Sequence, residues 1–179
     1  MYYKTQYASP LGEILLVADE KALVGLWIEG QKYFLGSFKE EICDDENAQI
    51  LVKAKCWLDK YFAGEKPQIN DLPLSPQGSD FAKSVWKILC EIPYGKTITY
   101  GEIAEKIAQS KGIEKMSAQA VGGAVGHNPI SIIIPCHRVV GIKGNLTGYA
   151  GGIDKKIKLL THEGVDMSVL YLPKKSTAL

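Results

Sequence analysis

A cysteine, a histidine and the only arginine of the chain stand consecutively in Pro135-Cys136-His137-Arg138-Val139-Val140. The thiolate is the reactive form of cysteine, and a free thiol with a pKa of about 8.5 is only slightly ionised at neutral pH. An imidazole that takes the proton raises the thiolate fraction, so this pair suits nucleophilic chemistry at sulfur. The apolar run Ile132-Ile133-Ile134 before it reads as a buried strand. Adjacent side chains on an extended strand point to opposite faces, so Cys136 and His137 would not touch directly. An inert buried cysteine beside a surface histidine is the competing reading of the same residues.

The elements that must position this group are legible in outline. Residues 1 to 35 read as an antiparallel meander, with turn signals at Ser9-Pro10-Leu11-Gly12 and Asp19-Glu20-Lys21 between apolar runs. Residues 46 to 63 have helical spacing through Ile50, Leu51, Ala54, Leu58, Tyr61 and Phe62, and Gly64 stops the helix. The stretch 65–79 carries three prolines and little periodicity, which reads as a linker. This predicts domains at 1–75 and 76–168 and a tail at 169–179. A helix is expected over 79–91. Thr99-Tyr100-Gly101-Glu102 has capping-box form, and the stripe Tyr100, Ile103, Ala104, Ile107 and Ala108 follows it. Ser117 can cap a further helix that buries Ala118, Val121, Gly122 and Val125 and ends at Asn128-Pro129. Two short helices, a strand and a Gly-rich hairpin make a winged helix-turn-helix, and the fold class is α+β.

The face left over on the second of those helices is Gln119, Ala120, Gly123, Ala124 and His127. Glycine in a helix costs about 1 kcal/mol against alanine, so a small uncharged face suits close approach of another surface. A DNA groove and a packed domain both satisfy that. The net charge of +1 gives no general prior for nucleic acid. No apolar run approaches the length of a membrane span, and no secretory pattern opens the chain. The four cysteines, Cys43, Cys56, Cys90 and Cys136, form no CxxC pair; reduced thiols in a cytoplasm are expected, with Cys56 and Cys90 in the core.

The ordered segments Ala120-Val121-Gly122-Gly123-Ala124, Asn128-Pro129, Ile134-Pro135-Cys136-His137-Arg138-Val139-Val140, Gly144-Asn145-Leu146-Thr147-Gly148-Tyr149-Ala150-Gly151-Gly152 and Lys158-Leu159-Leu160-Thr161-His162-Glu163-Gly164 resemble the O6-alkylguanine-DNA alkyltransferases. The resemblance implies an N-terminal antiparallel-sheet domain of ribonuclease H-like type and a C-terminal winged helix-turn-helix domain. It implies DNA repair by one irreversible transfer of the alkyl group of O6-alkylguanine, with O4-alkylthymine as a second substrate, onto the protein's own cysteine. By resemblance Cys136 is the acceptor, His137 its base acting through a water molecule, and Glu163 the acid that orients His137. Asn128 corresponds to the residue that bonds to the cysteine turn, and Tyr100 to the tyrosine that contacts DNA and protonates the leaving guanine. Val139 and Tyr149 correspond to walls of the guanine pocket, and Gly151 and Gly152 let the lid-loop backbone approach the base. Gln119, Ala120, Gly123, Arg138 and Ala150 complete the expected DNA- and substrate-contacting set.

The family's second helix enters the minor groove of double-stranded DNA and the target nucleotide is flipped out, which turns the small helix face toward the DNA reading. A monomer, no membrane, a cytoplasmic location and no cofactor are expected. The only histidines are His127, His137 and His162, so the structural zinc site of some relatives is not expected in the N-terminal region. One departure is Gln119, where many relatives carry an arginine that fills the gap left by the flipped base; weaker or more salt-sensitive DNA binding follows. The competing classes are a lesion-recognition relative without the acceptor cysteine, a cysteine hydrolase, and a winged-helix regulator, which would use a polar major-groove helix.

Overall fold

The structure is a computed structural model that describes residues 1–36 and 38–173. The chain divides into two units, Met1–Gln77 with Pro129–Ile133, and Gly78–Asn128 with Ile134–Leu179.

The first unit is built on a four-stranded sheet in the order β3-β2-β1-β4. The expected meander forms β1 (Tyr2–Ser9), β2 (Gly12–Ala18) and β3 (Leu23–Ile28), paired antiparallel. The short β4 (Ile42–Asp44) adds parallel to β1. Every residue of β3 is buried, which explains its unbroken apolar run. Helix α1 (Gln49–Phe62) turns Ile50, Leu51, Ala54, Trp57, Leu58 and Tyr61 inward. Cys56 lies off that stripe and is exposed, contrary to its expected place in the core, and Cys90 is half-buried.

The proline-rich segment is not a free linker. Trp57 donates to Gln68 O at 2.8 Å, Leu23 N–H to Pro73 O at 2.9 Å and Ser75 N–H to Leu23 O at 2.8 Å. Its backbone groups are therefore partly satisfied by β3, where composition suggested only solvent. Pro129–Ile133 also belongs to this unit, with Leu26 N–H donating to Pro129 O and Ser131 N–H to Leu26 O. This overturns the expected strand at Ile132–Ile134. The segment is a turn, with Ile132 at a φ of 71°, because single bonds to Leu26 replace a ladder.

In the second unit α2 (Asp80–Cys90) is capped by Ser79, and α3 (Tyr100–Lys111) carries the full Thr99–Glu102 capping box. Helix α4 (Ala118–Gly126) is capped by Ser117, and α2, α3 and α4 pack together. The Trp86 indole donates to Ala124 O at 2.8 Å; Ala124 is thus buried and not part of the free face. The short strands β5 (Ile98–Thr99) and β6 (Val139–Val140) pair in parallel, and α5 (Ile153–His162) closes the unit.

The expected wing is not a β-hairpin. After β6 the chain makes a tight turn at Ile142–Gly144, and Asn145 pairs with Tyr171 through a lone bridge. Within the expected tail Tyr171 N–H donates to Gly144 O at 3.0 Å and Tyr171 O accepts from Leu146 N–H at 2.8 Å, while Val169, Tyr171 and Leu172 are exposed; residues 174–179 lie outside the described residues. Among the described residues no helix is long and apolar enough to cross a membrane.

Candidate active site

Cys136 opens a single 3-10 turn, Cys136–Arg138, between the bend after Ile134 and β6. The turn, rather than an extended strand, carries Cys136, His137 and Arg138, so the alternation expected at this point does not apply. Asn128, just past α4, donates to Ile134 O at 2.8 Å and ties the helix end to the turn. Burial pushes the Cys136 thiol up, against the Asn128 hydrogen bond and the Lys156 charge. At rest the sulfur is a thiol and needs a base.

His137 is fully buried, and its Nε2 lies 2.6 Å from Glu163 Oε1. Glu163, at the end of α5, also accepts from Arg138 Nε at 2.8 Å on Oε2 and Arg138 Nη2 at 3.0 Å on Oε1. Gly95 N–H donates to Oε2 at 3.3 Å. Burial alone would raise the Glu163 carboxyl, but hydrogen bonds from His137 and Arg138 and the Arg138 charge hold it well below the usual carboxylate range. Burial keeps the His137 imidazole neutral; Glu163 opposes this, and the Arg138 and Lys156 charges reinforce it. An ionised Glu163 requires the proton of neutral His137 on Nε2. Nδ1 then carries the free lone pair, and it is buried with no protein partner.

Arg138 does not join a DNA-facing set. It is 6% exposed, spends Nε and Nη2 on Glu163, and donates from Nη1 to Ile92 O at 2.6 Å. A buried guanidinium beside a carboxylate fixes both charges, which is the physical reason for the inward turn.

Tyr100 begins α3, and its hydroxyl donates to Thr147 O and Gly148 O, each at 3.3 Å. Burial, then the Cys136 charge, pushes it up to about 12. The Tyr149 hydroxyl is buried without a partner, and burial together with Cys136 and Glu163 pushes it well up. Val139 is fully buried in β6, while Ala150 and Gly151 are half-buried ahead of α5. Gln119, Ala120, Gly123 and His127 are exposed along α4.

Sequence reasoning missed Lys156. Its side chain is fully buried, and Nζ donates to Val139 O, to Thr147 O at 2.9 Å and to Gly148 O at 3.3 Å. Burial lowers it to about 8, with the Cys136 charge opposing. The available signal was position: Lys156 shares the inward face of α5 with Leu159 and Leu160 at i+3 and i+4. Among the described residues no cluster of His, Cys, Asp or Glu could hold a metal ion.

Fold and site together place a buried cysteine in one tight turn with a buried neutral histidine that is paired to a carboxylate, within a helix-rich unit. The model for the 6-O-methylguanine DNA methyltransferase DNA binding domain matches residues 80–165, and that for the ribonuclease-like domain of the same methyltransferase matches residues 1–76. The chain belongs to the 6-O-methylguanine DNA methyltransferase family. It is 47% identical over 169 residues to a Methanosarcina acetivorans methylated-DNA–protein-cysteine methyltransferase, covering 92% of this chain and 99% of that one. It is 37% identical to the Haemophilus influenzae protein of the same name, covering 91% and 87%. The crystal structure of Mycobacterium tuberculosis OGT in complex with DNA superposes with a TM-score of 0.77 at 40% identity, covering 94% of each chain.

Proposed function

We propose that this protein repairs alkylated double-stranded DNA by direct reversal, moving the alkyl group of O6-alkylguanine, and of O4-alkylthymine, onto Cys136 once and irreversibly. The observation that carries this reading is the buried His137, neutral, with Nε2 committed to Glu163 and Nδ1 free to accept a proton. The thiol proton passes to Nδ1, by way of a water as the family resemblance implies. A sulfur–carbon bond forms as the carbon–O6 bond breaks, and the electron pair leaves with guanine. Tyr100, a phenol throughout the neutral range, supplies the proton to the departing base and regains one from solvent. Asn128 holds the acceptor turn, and Arg138 acts through Glu163 rather than on DNA.

The target atom lies inside the duplex, so the nucleotide must be flipped out, at a cost of a few kcal/mol. The exposed small face of α4, with Gln119, Ala120 and Gly123, suits the narrow minor groove, where bulky side chains would not settle. Tyr149, Val139, Ala150 and Gly151 form the base pocket. The protein acts as a monomer in the cytoplasm and uses no cofactor. The test is a titration of a duplex carrying one O6-methylguanine, followed by nucleoside analysis. Loss of the lesion should plateau at one equivalent per protein. Multiple turnovers, or no loss of the lesion, contradict the proposal.

A further inference from the structure

The turn Ile92–Gly95 links α2 to β5 and carries no residue that chemistry would single out. It nevertheless surrounds the ion pair behind His137. Ile92 O accepts from Arg138 Nη1 at 2.6 Å, the Tyr94 ring lies 5.6 Å from the Arg138 guanidinium carbon, and Gly95 N–H donates to Glu163 Oε2 at 3.3 Å. The Tyr94 hydroxyl also donates to His162 O at 3.4 Å, one residue before Glu163. Gly95 sits at a φ of +75°, and a Cβ there would stand 2.9 Å from the Glu163 carbonyl oxygen. Only glycine allows both the backbone conformation and the approach. The Glu163 carboxylate thus receives His137 Nε2 and Arg138 Nη2 on one oxygen, Arg138 Nε and Gly95 N–H on the other.

We propose that Tyr94 and Gly95 are positioning residues for alkyl transfer, the turn fixing Glu163 and Arg138 so that His137 presents Nδ1 to the acceptor thiol. This rests on the repair activity proposed above. The turn touches no reacting atom; it acts by limiting how the carboxylate rotates. Burial of the Tyr94 ring face against the guanidinium adds an attraction that a water-exposed Arg138 would lack. The charged and titratable groups facing the pair are His137, Lys156 and Cys136 on the acceptor side and the Tyr94 and Tyr149 hydroxyls; Cys90 faces Arg138.

The test compares G95A, Y94L and Y94F in the full chain. The readouts are the single-turnover transfer rate from an O6-methylguanine duplex, its pH profile, DNA affinity, and the proton resonance of His137 Nε2–H. G95A and Y94L should lower the maximal rate by about 10- to 100-fold, the scale for misplacing a catalytic group from outside the site. DNA affinity should not change. Glu163 supports the His137 imidazolium, so loosening it lowers the pH at which His137 titrates, and the acid limb of the profile should move down. The Nε2–H resonance should shift in both variants, and Y94F, which keeps the ring, should match wild type. If G95A does not fold, the Y94L and Y94F pair carries the test. Wild-type rates and an unmoved acid limb in Y94L overturn the positioning role. Failure of the wild-type chain to remove the alkyl group overturns instead the activity on which it rests.

Discussion

Replacing Glu163 with glutamine removes one charge and changes almost no volume, so it isolates what the carboxylate does. In the native site two oxygens accept four N–H groups, from His137 Nε2 at 2.6 Å, Arg138 Nη2 at 3.0 Å, Arg138 Nε at 2.8 Å and Gly95 at 3.3 Å. A carboxamide keeps one accepting oxygen. If that oxygen faces His137, the NH2 group meets Arg138 Nε, donor against donor. If it faces Arg138 Nε, the NH2 group meets His137 Nε2, and the imidazole must move its proton to Nδ1 to accept. In both arrangements Arg138 loses its counter-charge while buried, worth about 3–5 kcal/mol for a broken buried pair. At this chain length that is roughly 6–20 °C in Tm. In the second arrangement Nδ1 becomes a donor and cannot take the thiol proton, which removes general-base help worth about 100- to 10,000-fold. Single-turnover methyl transfer with protein in excess, beside a thermal melt, reads both effects. A folded E163Q protein that transfers methyl within about threefold of wild type would refute the role given to the relay.

Other outcomes follow from the same geometry. K156M removes the Lys156 donor from Val139 O and leaves Thr147 O and Gly148 O to the Tyr100 hydroxyl; it should lower stability by about 1–3 kcal/mol in a melt, because relief of the buried charge offsets part of the loss. N128A removes the bond to Ile134 O and should slow transfer about tenfold while leaving lesion affinity unchanged, read by rapid quench and by anisotropy. Q119R should tighten DNA binding at moderate salt, measured by anisotropy; an unchanged affinity there counts against α4 as the DNA face. His137 and Glu163 both titrate lower in the folded protein than their ordinary values of 6.5 and 4.5, so their contributions are present above those values and lost as pH falls. Denaturant unfolding should therefore show stability decreasing first below about pH 6.5 and further below about pH 4.5.

How far the sequence reached depended on whether a feature is local. The caps at Thr99 and Ser117 and the meander of β1 to β3 are legible in the sequence, since turn and cap chemistry act over three or four residues. Ile132–Ile134 was misread because a short apolar run fits a strand or a buried turn equally, and bonds to Leu26 decide between them. Cys56 was misassigned by counting it into a stripe from which it is displaced. At the site, Cys136, His137 and Glu163 were named from motif resemblance, and the structure brings His137 and Glu163 into contact across 26 residues of chain. Arg138 is expected in the DNA- and substrate-contacting set, yet a lone arginine beside a buried acid is settled by tertiary pairing. Lys156 and Gly95 carried no chemical signature, because their importance lies in which distant carbonyls and carboxylate they reach.

The most direct test is mass spectrometry of the intact protein and its peptides after incubation with a duplex carrying O6-methylguanine. The account predicts one methyl group per protein, a gain of one CH2 in mass on the peptide containing Cys136, and no gain anywhere in C136A. An unmodified Cys136 peptide beside tight lesion binding, or a methyl group on Cys43, Cys56 or Cys90, would contradict it.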